Sequence, residues 1–75
     1  MATKMTAQQA RDLLKRATKV AVASGPIGAC YVMRGGRTDD ICAQLSESEC
    51  KFVDTELRAL GAGFADFFAG KQCKA

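Results

Sequence analysis

Four cysteines, Cys30, Cys42, Cys50 and Cys73, carry most of the chemistry available to this chain, because the sequence contains no histidine. Without an imidazole there is no Ser-His or Cys-His pair to activate a nucleophile. A zinc site would need all four thiolates, and structural zinc sites bring their ligands in close pairs such as C-x-x-C, which do not occur here. Two disulfides could form in more than one connectivity, but they require an oxidising compartment, and no export signal is legible. The favoured reading is four reduced thiols, with Cys30 and Cys50 acting as small core residues. Cys73, close to Lys71 and Lys74, is then the exposed and reactive one.

Other catalytic patterns are missing too. No Gly-rich phosphate loop or dinucleotide fingerprint is present. Gly25-x-x-Gly28 has the bare spacing of the KH-domain loop, but that loop joins helices, whereas this one lies between segments that read as strands. The chain is expected to be no enzyme and to hold no cofactor or metal. A thiol or zinc-dependent small protein is the reading that the cysteines leave as an alternative.

Charge offers more. The net charge of +3 hides an asymmetry: residues 1–37 hold seven basic side chains against Asp12 alone, and residues 38–75 hold four basic against seven acidic. Such polarity bears on partner choice and association rate more than on fold. One candidate contact surface is basic: Lys4, Arg11, Lys15 and Lys19 along a first helix, with Arg34 and Arg37 on the "RGGR" turn. A second is apolar, the three phenylalanines Phe64, Phe67 and Phe68, since aromatic anchors dominate helix-in-groove recognition.

The elements that must position these residues are read from periodicity. Thr6–Thr18 is an expected helix, opened by a Thr6/Gln9 capping box, with Ala7, Ala10, Leu13, Leu14 and Ala17 on one face. "KVAVA" and "ACYVMR" read as two strands joined by the turn "SGPIG". Residues 38–45 fit either a short helix capped by Thr38 or a third strand after a Gly35-Gly36 turn, with Ile41, Ala43 and Leu45 inward. The helix is favoured, because Asp39 and Asp40 are poor strand residues. Ser46 and Glu49 then form a second capping box, with Leu45 and Cys50 as a hydrophobic staple. From there Cys50, Val53, Leu57, Leu60, Phe64, Phe67 and Phe68 keep helical spacing to about Ala69, across Gly61 and Gly63, with Gly70 as the stop.

The fold expected is therefore α+β in a single small domain, residues 1–75: N-terminal helix, β-hairpin, short helix, long C-terminal amphipathic helix. No apolar run reaches the roughly 18 residues a membrane span requires, and the N-terminal apolar stretch is broken by Ser24, Gly25 and Pro26, so a cytoplasmic location is expected. Function is expected to be non-enzymatic binding of another protein, as an adaptor or inhibitor. Phage or mobile-element proteins that block a host defence complex such as CRISPR-Cas are one such class, and a homodimer is a further option. The alternative is nonspecific nucleic-acid binding by the basic face. Reading DNA as a helix-turn-helix is disfavoured, since Glu47, Glu49, Asp54 and Glu56 on the second helix would repel phosphate.

Overall fold

The computed structural model describes residues 5–34 and 37–73, with the backbone alone over 37–40. The chain runs α1 (Ala7–Val20), β1 (Ile27–Arg34), β2 (Arg37–Ser46), α2 (Glu47–Ala59) and β3 (Gly63–Ala69). The three strands form one antiparallel sheet in the order β2-β1-β3. Ala10, Leu13, Leu14 and Ala17 of α1 and Cys50, Val53 and Leu57 of α2 are buried in one cluster with Cys30 and Val32 of β1 and Ile41 and Leu45 of β2. Both helices therefore cover the same face of the sheet. No described helix is long and apolar enough to cross a membrane.

Each helix begins where its capping residues require. Thr6 Oγ1 accepts the Gln9 N–H at 3.1 Å, and Gln9 Oε1 accepts the Thr6 N–H at 2.9 Å. At α2, Ser46 Oγ accepts the Glu49 N–H while Glu49 Oε1 accepts the Ser46 N–H at 2.9 Å. Leu45 and Cys50, the expected staple pair, are both buried beneath this cap.

Three expectations about the elements are overturned. The first strand is not "KVAVA": Lys19 and Val20 complete α1, and residues 21–26 are irregular. Their carbonyls are committed to α2, whose first N–H groups have no intrahelical partner. Pro26 O accepts the Glu47 N–H at 3.0 Å, Ser24 O accepts the Ser48 N–H at 3.1 Å, and Val22 O accepts the Ser48 hydroxyl at 2.6 Å. Residues 21–26 make these capping bonds and join no strand ladder, and the hairpin is β1 with β2.

Second, residues 38–45 belong to β2 and are not a short helix. Ile41, Ala43 and Leu45 alternate toward the helices, as the strand alternative required. The paired aspartates fall where the ladder is irregular: between Tyr31↔Cys42 and Met33↔Thr38, residues 39–41 oppose Val32 alone, a bulge that accommodates poor strand residues. The Gly35-Gly36 pair lies outside the described residues.

Third, the long C-terminal helix does not exist: α2 stops at Ala59 and the last element is a strand. Gly61, at φ +67°, is the residue just past the helix end; its N–H bonds Arg58 O at 3.1 Å and the Ala62 N–H bonds Leu57 O at 3.0 Å. That pair of bonds is a Schellman motif, and Ala62 packs into the core with Leu57 as its apolar contact. Gly63 (φ +148°) then starts β3 against Arg34, where a Cβ would collide with the Met33 carbonyl oxygen. Gly70 follows the strand, not a helix.

The cysteines are paired, which corrects the expectation of reduced thiols. Cys30 on β1 is bonded to Cys50 on α2, and Cys42 on β2 is bonded to Cys73 beyond β3. The packing of α2 on β1 and the path of the chain beyond β3 bring the pairs to Cα separations of 5.6 and 5.8 Å, in the range a disulfide spans.

Candidate functional site

The described helices cover one face of the sheet, and strand alternation decides what the other presents. On β1, Cys30 and Val32 point into the core, so Ile27, Ala29, Tyr31 and Met33 point away from it. The register aligns Phe64 with Met33, Asp66 with Tyr31 and Phe68 with Ala29, so these β3 residues share that outer face. Cys42 and Gln44 of β2 join them, opposite Tyr31 and Ala29. Tyr31 and Phe68 meet edge to face, with ring centroids 5.7 Å apart.

Along β1 and β3 the described side chains of the outer face are mostly apolar and several are exposed. Ile27, Phe64 and Phe68 are 57%, 38% and 47% exposed, and Tyr31 and Met33 are half-buried. Asp66 stands between Phe64 and Phe68 along β3, half-buried, and its carboxylate takes part in no hydrogen bond or ion pair among the described residues.

One side of this face is walled. β2 and β3 flank β1, so the chain after Gly70 must cross the central strand to bring Cys73 to Cys42. Gln44 fastens the crossing from below: its Nε2 donates to Lys71 O at 3.1 Å and its Oε1 accepts the Cys73 N–H at 2.6 Å. Ala29, between Gln44 and Phe68, is fully buried despite facing outward.

The residues expected to form a contact surface are divided by this architecture. Phe64 and Phe68 lie on the open face, whereas Phe67, one position out of phase, packs against the core on the other side. Strand geometry separates what helical geometry would have grouped. Arg11, Lys15 and Lys19 remain together as an exposed stripe along α1, on the side of the helix away from the sheet. Arg34 does not extend that stripe: it is half-buried and its guanidinium donates to Met5 O at 2.7 Å, holding the entry to α1. Lys4 and the side chain of Arg37 lie outside the described residues. The basic stripe and the apolar face are thus on opposite sides of a two-layer structure.

Comparison with protein-family models, with curated proteins and with solved structures finds no match for this chain.

Ile27, Tyr31, Met33 and Asp66 were not anticipated as surface-forming. A signal exists for Asp66, since "GFADFFA" alternates Phe64, Asp66 and Phe68 against Ala65, Phe67 and Ala69 at period two. Among the described residues, no group of three or more cysteine, histidine or carboxylate side chains is placed to hold a metal ion.

Proposed function

We propose that this protein is a non-catalytic protein-binding module, an adaptor or inhibitor, that docks its partner on the open face of the sheet. The observation that carries this reading is the exposure of Phe64 and Phe68 beside Tyr31 and Met33, with Ile27 exposed at the far end of β1, on the sheet face that no described helix covers. A monomeric domain seldom leaves contiguous aromatic and aliphatic side chains in water without a use for them. Aromatic residues on a rigid sheet also anchor partners at little entropic cost, because each has few rotatable bonds.

The covalent chemistry supports a reading of the compartment. Two disulfides in a chain of 75 residues favour an oxidising environment over the cytoplasm expected from sequence. They also compensate for a thin core, which a domain of this size cannot enlarge.

A second reading rests on a separate observation. Arg11, Lys15 and Lys19 recur every fourth residue on one exposed face of α1, the arrangement that tracks a phosphate backbone without reading sequence. The two readings use opposite sides of the molecule, so they separate cleanly. Affinity capture with the intact protein, with and without nuclease, is compared with Phe64→Ser/Phe68→Ser and with Arg11→Glu/Lys15→Glu. The captured partner is then purified and titrated. A protein that survives nuclease and is lost on the phenylalanine variant supports the docking face. Nucleic acid lost on the charge-reversal variant, with no protein retained, makes the α1 stripe the site instead.

A further inference from the structure

Resting on the docking face proposed above, we infer that its occupant is a protein segment presenting an arginine or lysine, whose cationic head pairs with Asp66 and lies against the Tyr31 and Phe68 rings, with Phe64 flanking it. The position of Asp66 carries the inference. It lies at the middle of β3, directly across from Tyr31, with Phe64 and Phe68 two residues to either side on the same face. Every other described acidic side chain on an element that packs against β3 belongs to α2. Asp54, the one closest to the strand, is already occupied by the Arg58 guanidinium at 2.9 Å and the Ala65 N–H at 2.9 Å. Among the described residues, the Asp66 carboxylate has no such occupant.

A carboxylate framed by aromatic rings is a poor contact for an apolar partner, because docking would strip its water and return nothing. It is a good contact for a cation. The ring faces attract positive charge through their quadrupoles, and a guanidinium can satisfy the carboxylate with two parallel hydrogen bonds. The protein already uses this pairing at the rim of the same face, where the Arg58 guanidinium lies 5.7 Å from the Phe64 ring centroid. The flanking Met33 and Phe64 on one side and Phe68 on the other favour apolar neighbours on either side of the basic residue. The face therefore discriminates by charge at its centre and by shape around it, whereas a purely aromatic patch would accept many apolar surfaces.

The test uses a displayed library of random peptides selected on the full-length, disulfide-bonded protein, followed by titration of individual synthetic binders. The expected result is enrichment of sequences with one Arg or Lys between apolar residues. Their affinity should fall roughly tenfold or more on Asp66→Asn, the scale of losing a charge-assisted hydrogen bond, and should weaken with salt. Phe68→Ser should abolish binding, with circular dichroism and thermal unfolding verifying that both variants remain folded. Binders that need Phe68 but ignore Asp66→Asn, or that carry no basic residue, overturn the cationic anchor while leaving the docking face standing. Binders indifferent to Phe68→Ser, or no enrichment at all, overturn the docking face itself. Self-association that depends on Phe68 and not on Asp66 makes the occupant a second copy and overturns the inference.

Discussion

Asp54 on α2 accepts the backbone N–H of Ala65 on β3 at 2.9 Å. This bond satisfies an N–H on the edge of β3 turned away from β1, and Arg58, four residues along α2, steadies the carboxylate from the other side. Replacing Asp54 by Ala leaves that N–H without its partner and should cost about 1–3 kcal/mol. Asp54→Asn, which keeps one acceptor oxygen, should recover part of the loss. Urea unfolding gives the magnitudes, and amide exchange at Ala65 should accelerate more than exchange at Val32 in the central strand.

The two disulfides should differ in access to a reductant. Cys30 and Cys50 are buried, whereas Cys42 and Cys73 are partly exposed on the outer face. Under native conditions a small dithiol should therefore open Cys42–Cys73 first, its own two thiols oxidising as the two cysteines are freed. Alkylation and peptide mapping over time read the order; simultaneous labelling of all four cysteines would contradict it. Replacing either pair by serine should lower stability by about 3–4 kcal/mol in the chain-entropy account, since the bridges close separations of 20 and 31 residues.

The two helix caps should differ in weight. Ser46 is buried and its Oγ also accepts the Ser24 N–H at 3.3 Å, so it holds the irregular segment after α1 as well as the first turn of α2. Thr6 serves α1 alone at an exposed end. Ser46→Ala should cost about 2 kcal/mol, the upper end for an N-cap, and Thr6→Ala about 1 kcal/mol or less. Thermal unfolding of the two variants side by side checks the difference, and exchange at Ser24 should rise only in the first.

Gly63→Ala should be among the most damaging single changes. The new methyl group would meet the Met33 carbonyl oxygen at a backbone angle that L-residues rarely adopt. A loss of at least about 2 kcal/mol is expected, from strain together with displacement of β3 from β1. Gly70→Ala, at a positive φ but with open space around it, should lose less. Equal stability of the two variants would show that β3 can shift to absorb the methyl group.

What the sequence disclosed was set by how local each determinant is. Both capping boxes and the apolar stripe of α1 depend on residues within a turn of one another, and all were legible. Gly61 was equally local, but the stripe through Leu57, Leu60, Phe64 and Phe67 happens to keep helical phase across it, and a coincidental period outweighed a helix-stop signal. The strand character of residues 37–46 was concealed by Asp39 and Asp40, whose cost is absorbed by a bulge that exists only opposite Val32. The irregular segment after α1 looked like a strand because its caps are consumed by a helix more than twenty residues later in the chain. For the site, Phe64 and Phe68 were identified as candidates from composition, but their separation from Phe67 and their alliance with Tyr31 and Asp66 depend on pairing that no local window contains.

The placement of β1 between two later strands also orders how the molecule is made. As the chain emerges in synthesis, β1 can pair with β2 and Cys30 can find Cys50 as soon as α2 has formed. The second edge of β1 stays bare until the residues up to Ala69 have followed, since Gly28 pairs with Ala69. Cys42 has no mate before Cys73 appears, so the oxidation of this pair marks completion of the sheet. A chain halted after α2 would display a naked central strand with Cys42 unpaired, the form most exposed to aggregation and to mixed disulfides with other proteins.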